Sequence, residues 1–267
     1  MNTNVNKYGL AAWACLVGMV LAAGPARAVN VVRMTNDKEF QPKSITYREG
    51  AQEYLLVLPD GTQIPIPKAQ VASLEIDKPA EFDKAAQMIA AKQFDAAIPV
   101  LEDIIAKYKM LVWDNRAREL LAQAQLTKDP KKAVATLEEI FATLPKAQAS
   151  SEVHLLYWIA LLAAGREATL KKDLDEVVAT GPREMAAIAQ VMRGNVNRAA
   201  GQKEAALLDY LRTVVLFDQV KSVQPEALFR AAEMLDELRD PRAEDVRKKL
   251  VQEYKDSEYA SKLSGKM

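Results

Sequence analysis

Ala199-Ala200-Gly201-Gln202-Lys203-Glu204-Ala205-Ala206-Leu207-Leu208-Asp209-Tyr210 is the stretch that decides the fold. Ala200-Gly201 breaks one helical stretch, and a run of good helix formers begins the next. Ala206 stands early in that second stretch. Tyr210 and Thr213 follow it at helical spacing, so the three share one face. The same marker position returns along the chain: Ala97, Ala133, Leu170, Ala206 and Ala243 are separated by 36, 37, 36 and 37 residues. A fixed period in the thirties is the sequence sign of helix pairs stacked into a solenoid.

The frame around the marker is consistent. Twelve residues before it lie Ala85, Leu121, Trp158, Gly194 and Ala231, and three further on Met88, Ala124, Leu161, Asn197 and Met234. Four after it come Leu101, Leu137, Leu174, Tyr210 and Arg247, and seven after it Ile104, Ile140, Val177, Thr213 and Leu250. A small residue in the second helix lets it approach the first closely, and the larger residues fill the groove. Leu144-Pro145, Gly181-Pro182 and Gln224-Pro225 mark turns between repeats, and Ala164-Gly165 and Ala200-Gly201 turns within them. Pro99 falls inside a second helix and is expected to kink or shorten it.

These features resemble the tetratricopeptide repeat family. Ala199 to Ala206 is similar to the family's Gly-x-x-x-x-Ala turn, and so is Lys92-Gln93-Phe94-Asp95-Ala96-Ala97, with Phe94 at the usual aromatic position. Gly194 matches the family's first-helix glycine, and Pro145 and Pro182 its closing proline. Leu170 and Arg247 depart from the pattern, with Val246 placed to take over the core role of Arg247. The ending around Tyr254, Ser257 and Ala260 is similar to periplasmic tetratricopeptide proteins of the bacterial cell envelope. The resemblance implies a helical-hairpin solenoid of about five repeats over residues 79–262.

Residues 29–78 read differently. Asn30 to Met34, Ser44 to Tyr47, Tyr54 to Leu58, Gln63 to Pro67 and Val71 to Ile76 are short, strand-like runs between turn signals. Leu58-Pro59-Asp60-Gly61-Thr62 is a hairpin signal. Pro65 and Pro67 deny donors at alternate positions, which predicts an edge strand or a bend. The series from Ile64 to Ile76 resembles the closing strands of small SH3-like bacterial barrels, so a mainly α protein preceded by a small antiparallel, barrel-like β region is expected. An extended arm ordered against the solenoid is the alternative. Asp77-Lys78-Pro79 is the expected boundary, with Asp77 as a candidate N-cap, and with no flexible linker the two regions should pack directly on one another.

Residues 1–28 read as a signal peptide. Lys7 supplies the positive start, Leu10 to Ala23 the apolar run, and Ala26-Arg27-Ala28 a small-x-small cleavage site. The run is too short to span a bilayer comfortably. An exported protein of the periplasm or extracellular side of the cell envelope follows, starting near Val29, with no integral membrane segment after leader removal. The one cysteine, Cys15, lies in the leader, so neither disulfides nor thiol chemistry are expected of the mature chain. The whole chain carries 36 basic and 36 acidic residues, and leader removal takes two bases. That balance offers no basic face for nucleic acid.

Chemistry-bearing residues are sparse. His154 is the single histidine, so neither a zinc site nor any other cofactor or metal is expected; it reads as a surface or boundary residue. No Gly-x-Ser-x-Gly elbow or phosphate loop occurs. Glu138-Glu139, Asp173 with Asp175-Glu176, and Asp236-Glu237 alternate with Lys and Arg and read as solvated faces. Trp158 reads as core; Trp113 is either a staple or an exposed contact. The expected function is a non-enzymatic scaffold or adaptor that binds a protein or peptide. Alternatives are a cell-wall enzyme using a carboxylate pair and a structural homo-oligomer. In the tetratricopeptide resemblance the concave face is lined by first-helix positions: Arg118, Ala122 and Gln125, then Leu155, Ile159 and Leu162, then Val191, Asn195 and Arg198. Arg118 and Arg198 would hold a carboxylate or backbone, and Leu155 and Ile159 an apolar side chain. The competing reading buries the third repeat and leaves no groove.

Overall fold

The computed structural model describes residues 30–264; the expected leader lies outside them. The chain divides into two compact units, 30–160 and 161–264 within the described residues, and the division falls inside a helix. No helix among the described residues is long and apolar enough to cross a membrane.

The N-terminal unit opens with six strands: β1 Val31–Met34, β2 Glu39–Phe40, β3 Ser44–Arg48, β4 Glu53–Val57, β5 Gln63–Pro67 and β6 Val71–Glu75. All pairings are antiparallel, in two three-stranded sheets ordered β2-β1-β6 and β3-β4-β5. The expected barrel is corrected on this point, because no ladder joins the two sheets. Part of the reason is Pro65 and Pro67. Leu58 N–H donates to Thr62 O and Lys68 N–H to Gln52 O, each over 2.9 Å. That phase turns Ile64 and Ile66 toward β4 and the two proline nitrogens toward the free edge, which cannot donate to a further strand. β2, with two residues, is too short to stand out as a strand-like run. Val32 and Met34 of one sheet and Tyr54, Leu56 and Ile66 of the other bury one apolar core.

That core is completed by the helical region. Leu111, 3% exposed, inserts into it from the loop between the second and third helices. Tyr54 OH donates to Met110 O over 3.1 Å, and burial pushes the Tyr54 phenol up to about 12. Trp113 acts as a staple: its indole N–H donates to Ile76 O over 2.8 Å and its ring meets Phe82 edge-on. The β region therefore packs directly on the first helices, as the missing linker suggested. Asp77 does not cap the first helix; its own N–H donates to Asn30 Oδ1, and the helix starts after Pro79 without a side-chain cap.

Within the units the helices form antiparallel pairs: α1 Ala80–Ala90 with α2 Phe94–Lys107 and α3 Trp113–Lys128 with α4 Pro130–Thr143, followed by α5 Ser151–Ala163 at the division; then α6 Glu167–Thr180, α7 Arg183–Ala199 with α8 Lys203–Leu216, and α9 Gln224–Glu237 with α10 Ala243–Glu253. A short α11, Glu258–Ser264, follows. Within each compact unit, successive helices pack on one another. The periodic markers form the core. Ala97, Ala133, Leu170 and Ala206 are fully buried and Ala243 is 4% exposed. Leu170 is buried there although it is not small. Arg247 stays half-buried, and Val246 packs on the last cluster in its place. Pro99 does not shorten α2, which runs 14 residues, as α4 does. Pro99 is exposed, so the carbonyl it leaves unpaired one turn back can reach water. Trp158 is wholly buried, as expected, but His154 is buried too, at 4% exposure, which corrects its reading as a surface or boundary residue. Its Nε2 donates to Lys146 O over 2.9 Å, and the ring lies between Phe141 and Trp158.

Candidate functional site

The first-helix positions expected to line a groove are mostly engaged inside the protein. In the N-terminal unit, Arg118 is a strut. Its Nε donates to Glu139 Oε2 and its Nη1 to Asp114 Oδ2, each over 3.0 Å. Asp114, 1% exposed, also accepts the Met110 N–H over 2.8 Å. One guanidinium thus ties α3 to α4, and its carboxylate partner holds the loop before α3. Gln125 accepts from Thr136 Oγ1 over 2.8 Å, a second tie between the same helices. Ala122 is fully buried. Leu155 and Ile159 are half-buried and keep some open surface.

In the C-terminal unit, Leu162, Val191 and Asn195 are 3%, 4% and 3% exposed. Asn195 sits in a polar chain. Tyr210 OH donates to its Oδ1 over 2.8 Å, and its Nδ2 donates to Glu226 Oε1 over 3.1 Å, linking α7, α8 and α9. Burial pushes the Tyr210 phenol far above its ordinary range, against the lowering effect of the Arg198 and Arg230 charges. Arg198 is half-buried, and its Nε has no hydrogen-bond partner. That nitrogen is itself buried.

A second centre on α7 escaped the sequence reading. Asp209, 3% exposed, accepts from Gln190 Nε2 over 2.6 Å, Asn197 Nδ2 over 2.9 Å, and Arg193 Nη2 over 2.8 Å. Arg193 reaches on to Asp175 of α6 over 2.7 Å. Burial works against its charge, but the hydrogen bonds to Asp209 and Asp175 outweigh it and raise the guanidinium pKa further. Gly194 makes this packing possible: a Cβ there would stand 2.6 Å from Cε1 of Tyr210. A signal existed. In the repeat frame the fourth pair alone carries Asn197, Tyr210 and Thr213 together, where its siblings are mostly apolar.

The carboxylates divide. Asp236 binds Arg247 at the surface. Glu138 accepts from Tyr157 OH. Asp173, 4% exposed, is not on the solvated face expected for it. Among the described residues no group of three or more His, Cys, Asp or Glu side chains is arranged to hold a metal ion. The chain is thus a series of consecutive antiparallel helix pairs with a polar core in the fourth. Comparison with family models and with curated proteins finds no match for it.

Proposed function

We propose that the protein is an exported, non-catalytic adaptor of tetratricopeptide type, which binds a protein or peptide in the cell envelope through its first-helix faces. The observation that carries this reading is the repeat itself: five markers at nearly equal spacing, all buried, so that each helix pair is a building block whose faces beyond the core are available for recognition. Leu155 and Ile159, half-buried in one compact unit, are suited to an apolar side chain, and Arg198 in the other to a carboxylate or carbonyl. Arg118, Gln125 and Asn195 act from behind by fixing the helices that present them. The leader motif at 1–28 supports the location.

A crosslinking pull-down from envelope fractions tests the partner. A reproducible partner, lost with Ile159→Asp or Arg198→Ala, is the expected result; no reproducible partner with the wild-type chain would sink the reading. Mass spectrometry of the secreted chain tests the location, with a mature start near Val29 expected.

A further inference from the structure

The last helix pair carries a groove of about 680 Å³ bounded by α9, α10 and α11. Phe229 and Ala232 of α9 form an apolar floor; Val251 of α10 and Leu263 of α11 form apolar walls. Val251 is 41% exposed, one of few large apolar side chains so open among the described residues.

The chain itself shows what fills such a groove. Each incoming first helix lies against the second helix of the pair before it, as α3 does on α2 and α9 on α8. α11 repeats this on α10. Ala260 N–H is capped by Ser257 Oγ over 3.1 Å, and Tyr259 and Ala260 pack on Leu228, Phe229 and Leu250. But α11 has 7 residues against 14 in α9. At about 1.5 Å per residue it covers roughly 10 Å where α9 covers roughly 21 Å. Among the described residues, the remainder left uncovered is about two turns of helix long and continues the stacking surface that joins the earlier pairs.

The rim specifies the charge of the occupant. Arg247 is engaged by Asp236 and Glu244, and Glu233 by Arg230. Lys248, also on the rim and exposed, has no ion-pair partner among the described residues.

We propose that this groove is a docking site for an amphipathic α-helix of a partner protein, which lies where the first helix of a sixth pair would stack and sets a carboxylate against Lys248. Its apolar stripe covers Val251 and Leu263, above the floor of Phe229 and Ala232, which the chain itself already buries. This site is separate from the first-helix faces proposed above.

The probe is a labelled synthetic 16-residue amphipathic peptide with a Leu/Ala stripe and a Glu flank, titrated against the full chain by fluorescence anisotropy. Saturable binding at about 10–100 µM is expected. Val251→Asp, at an exposed position that leaves the fold intact by circular dichroism, should weaken it at least about tenfold. Lys248→Glu should shift preference to the same peptide with a Lys flank. Ile159→Asp and Arg198→Ala should leave binding unchanged, which separates this site from the proposed first-helix faces. No saturation below about 1 mM, or equal binding by Val251→Asp, overturns the proposal. So does ultracentrifugation showing a dimer that Val251→Asp dissolves and the peptide cannot enter, which would make a second copy the occupant.

Discussion

Single residues hold this fold at points where geometry leaves little choice. Gly194 is one. Alanine is normally the better helix residue by about 1 kcal/mol, but a Cβ at 194 would meet the fully buried Tyr210 ring at 2.6 Å. Gly194→Ala should therefore lower stability by about 1–3 kcal/mol in urea unfolding. Adding Tyr210→Leu, the residue three of its four siblings carry, should recover part of that loss; no recovery would show that the clash is not the cause. Val112 is the opposite case. Its φ of 74° and ψ of −50°, with Trp113 N–H donating to Leu111 O over 2.8 Å, make a γ-turn of the rare positive-φ kind, on a β-branched residue. Val112→Gly should raise stability by about 1 kcal/mol, seen as a higher Tm. Asp240 gives a pH signature. Hydrogen bonds from the Arg242 side chain and backbone lower its carboxyl from 3.8 to about 2. A lowered folded value means that the pairing stabilises above 3.8 and is lost as pH falls toward 2. Carbon-detected NMR should find that low midpoint in the wild type and a return toward the ordinary value in Arg242→Ala.

Elements take their places from the marker frame, and most of that was legible in sequence. Strand-like composition between turn signals located five of the six strands, and the period located the helix pairs, because burial at fixed offsets is what the frame encodes. β2 was lost to its brevity, and barrel closure was misjudged because strand propensity says nothing about which edges meet. The site was read less well. Arg118, Gln125 and Asn195 sit at outward offsets of an average repeat, yet each finds a partner on a neighbouring helix that spacing alone cannot show. Asp209 is the clearest case. It looks like one more helix-surface acid, but it binds three α7 side chains and is buried. Removing it should strand Arg193 and Asn197 against α8. Asp209→Ala is expected to cost about 3–5 kcal/mol, since Arg193 keeps only the exposed Asp175 and the buried donors of Gln190 and Asn197 lose their acceptor. Arg193→Met with Asp209→Leu should cost much less, because both charges leave together. Equal losses in the two variants would mean that the pair acts through packing alone.

At the scale of the molecule, the contacts that matter join near neighbours in sequence, and the two compact units have their own cores. Leu111 illustrates how tightly one unit is knit. A loop residue between α2 and α3 fills the core of two sheets, 3% exposed, so the strands and the first helices cannot loosen separately. Leu111→Ala removes that filling and leaves a cavity, at a cost of about 2–5 kcal/mol. In a protein whose stability is summed from local interfaces, such a loss stays near its origin. Hydrogen exchange on the variant should show faster exchange throughout β1 to β6 and α1 to α3, with α7 to α9 nearly unchanged. Asp209→Ala should give the reverse pattern, with α7 and α8 exposed and the strands still protected. Uniform acceleration across both units in either variant would instead mean that the chain opens as one cooperative block, and the helix pairs would then not be independent building blocks for recognition.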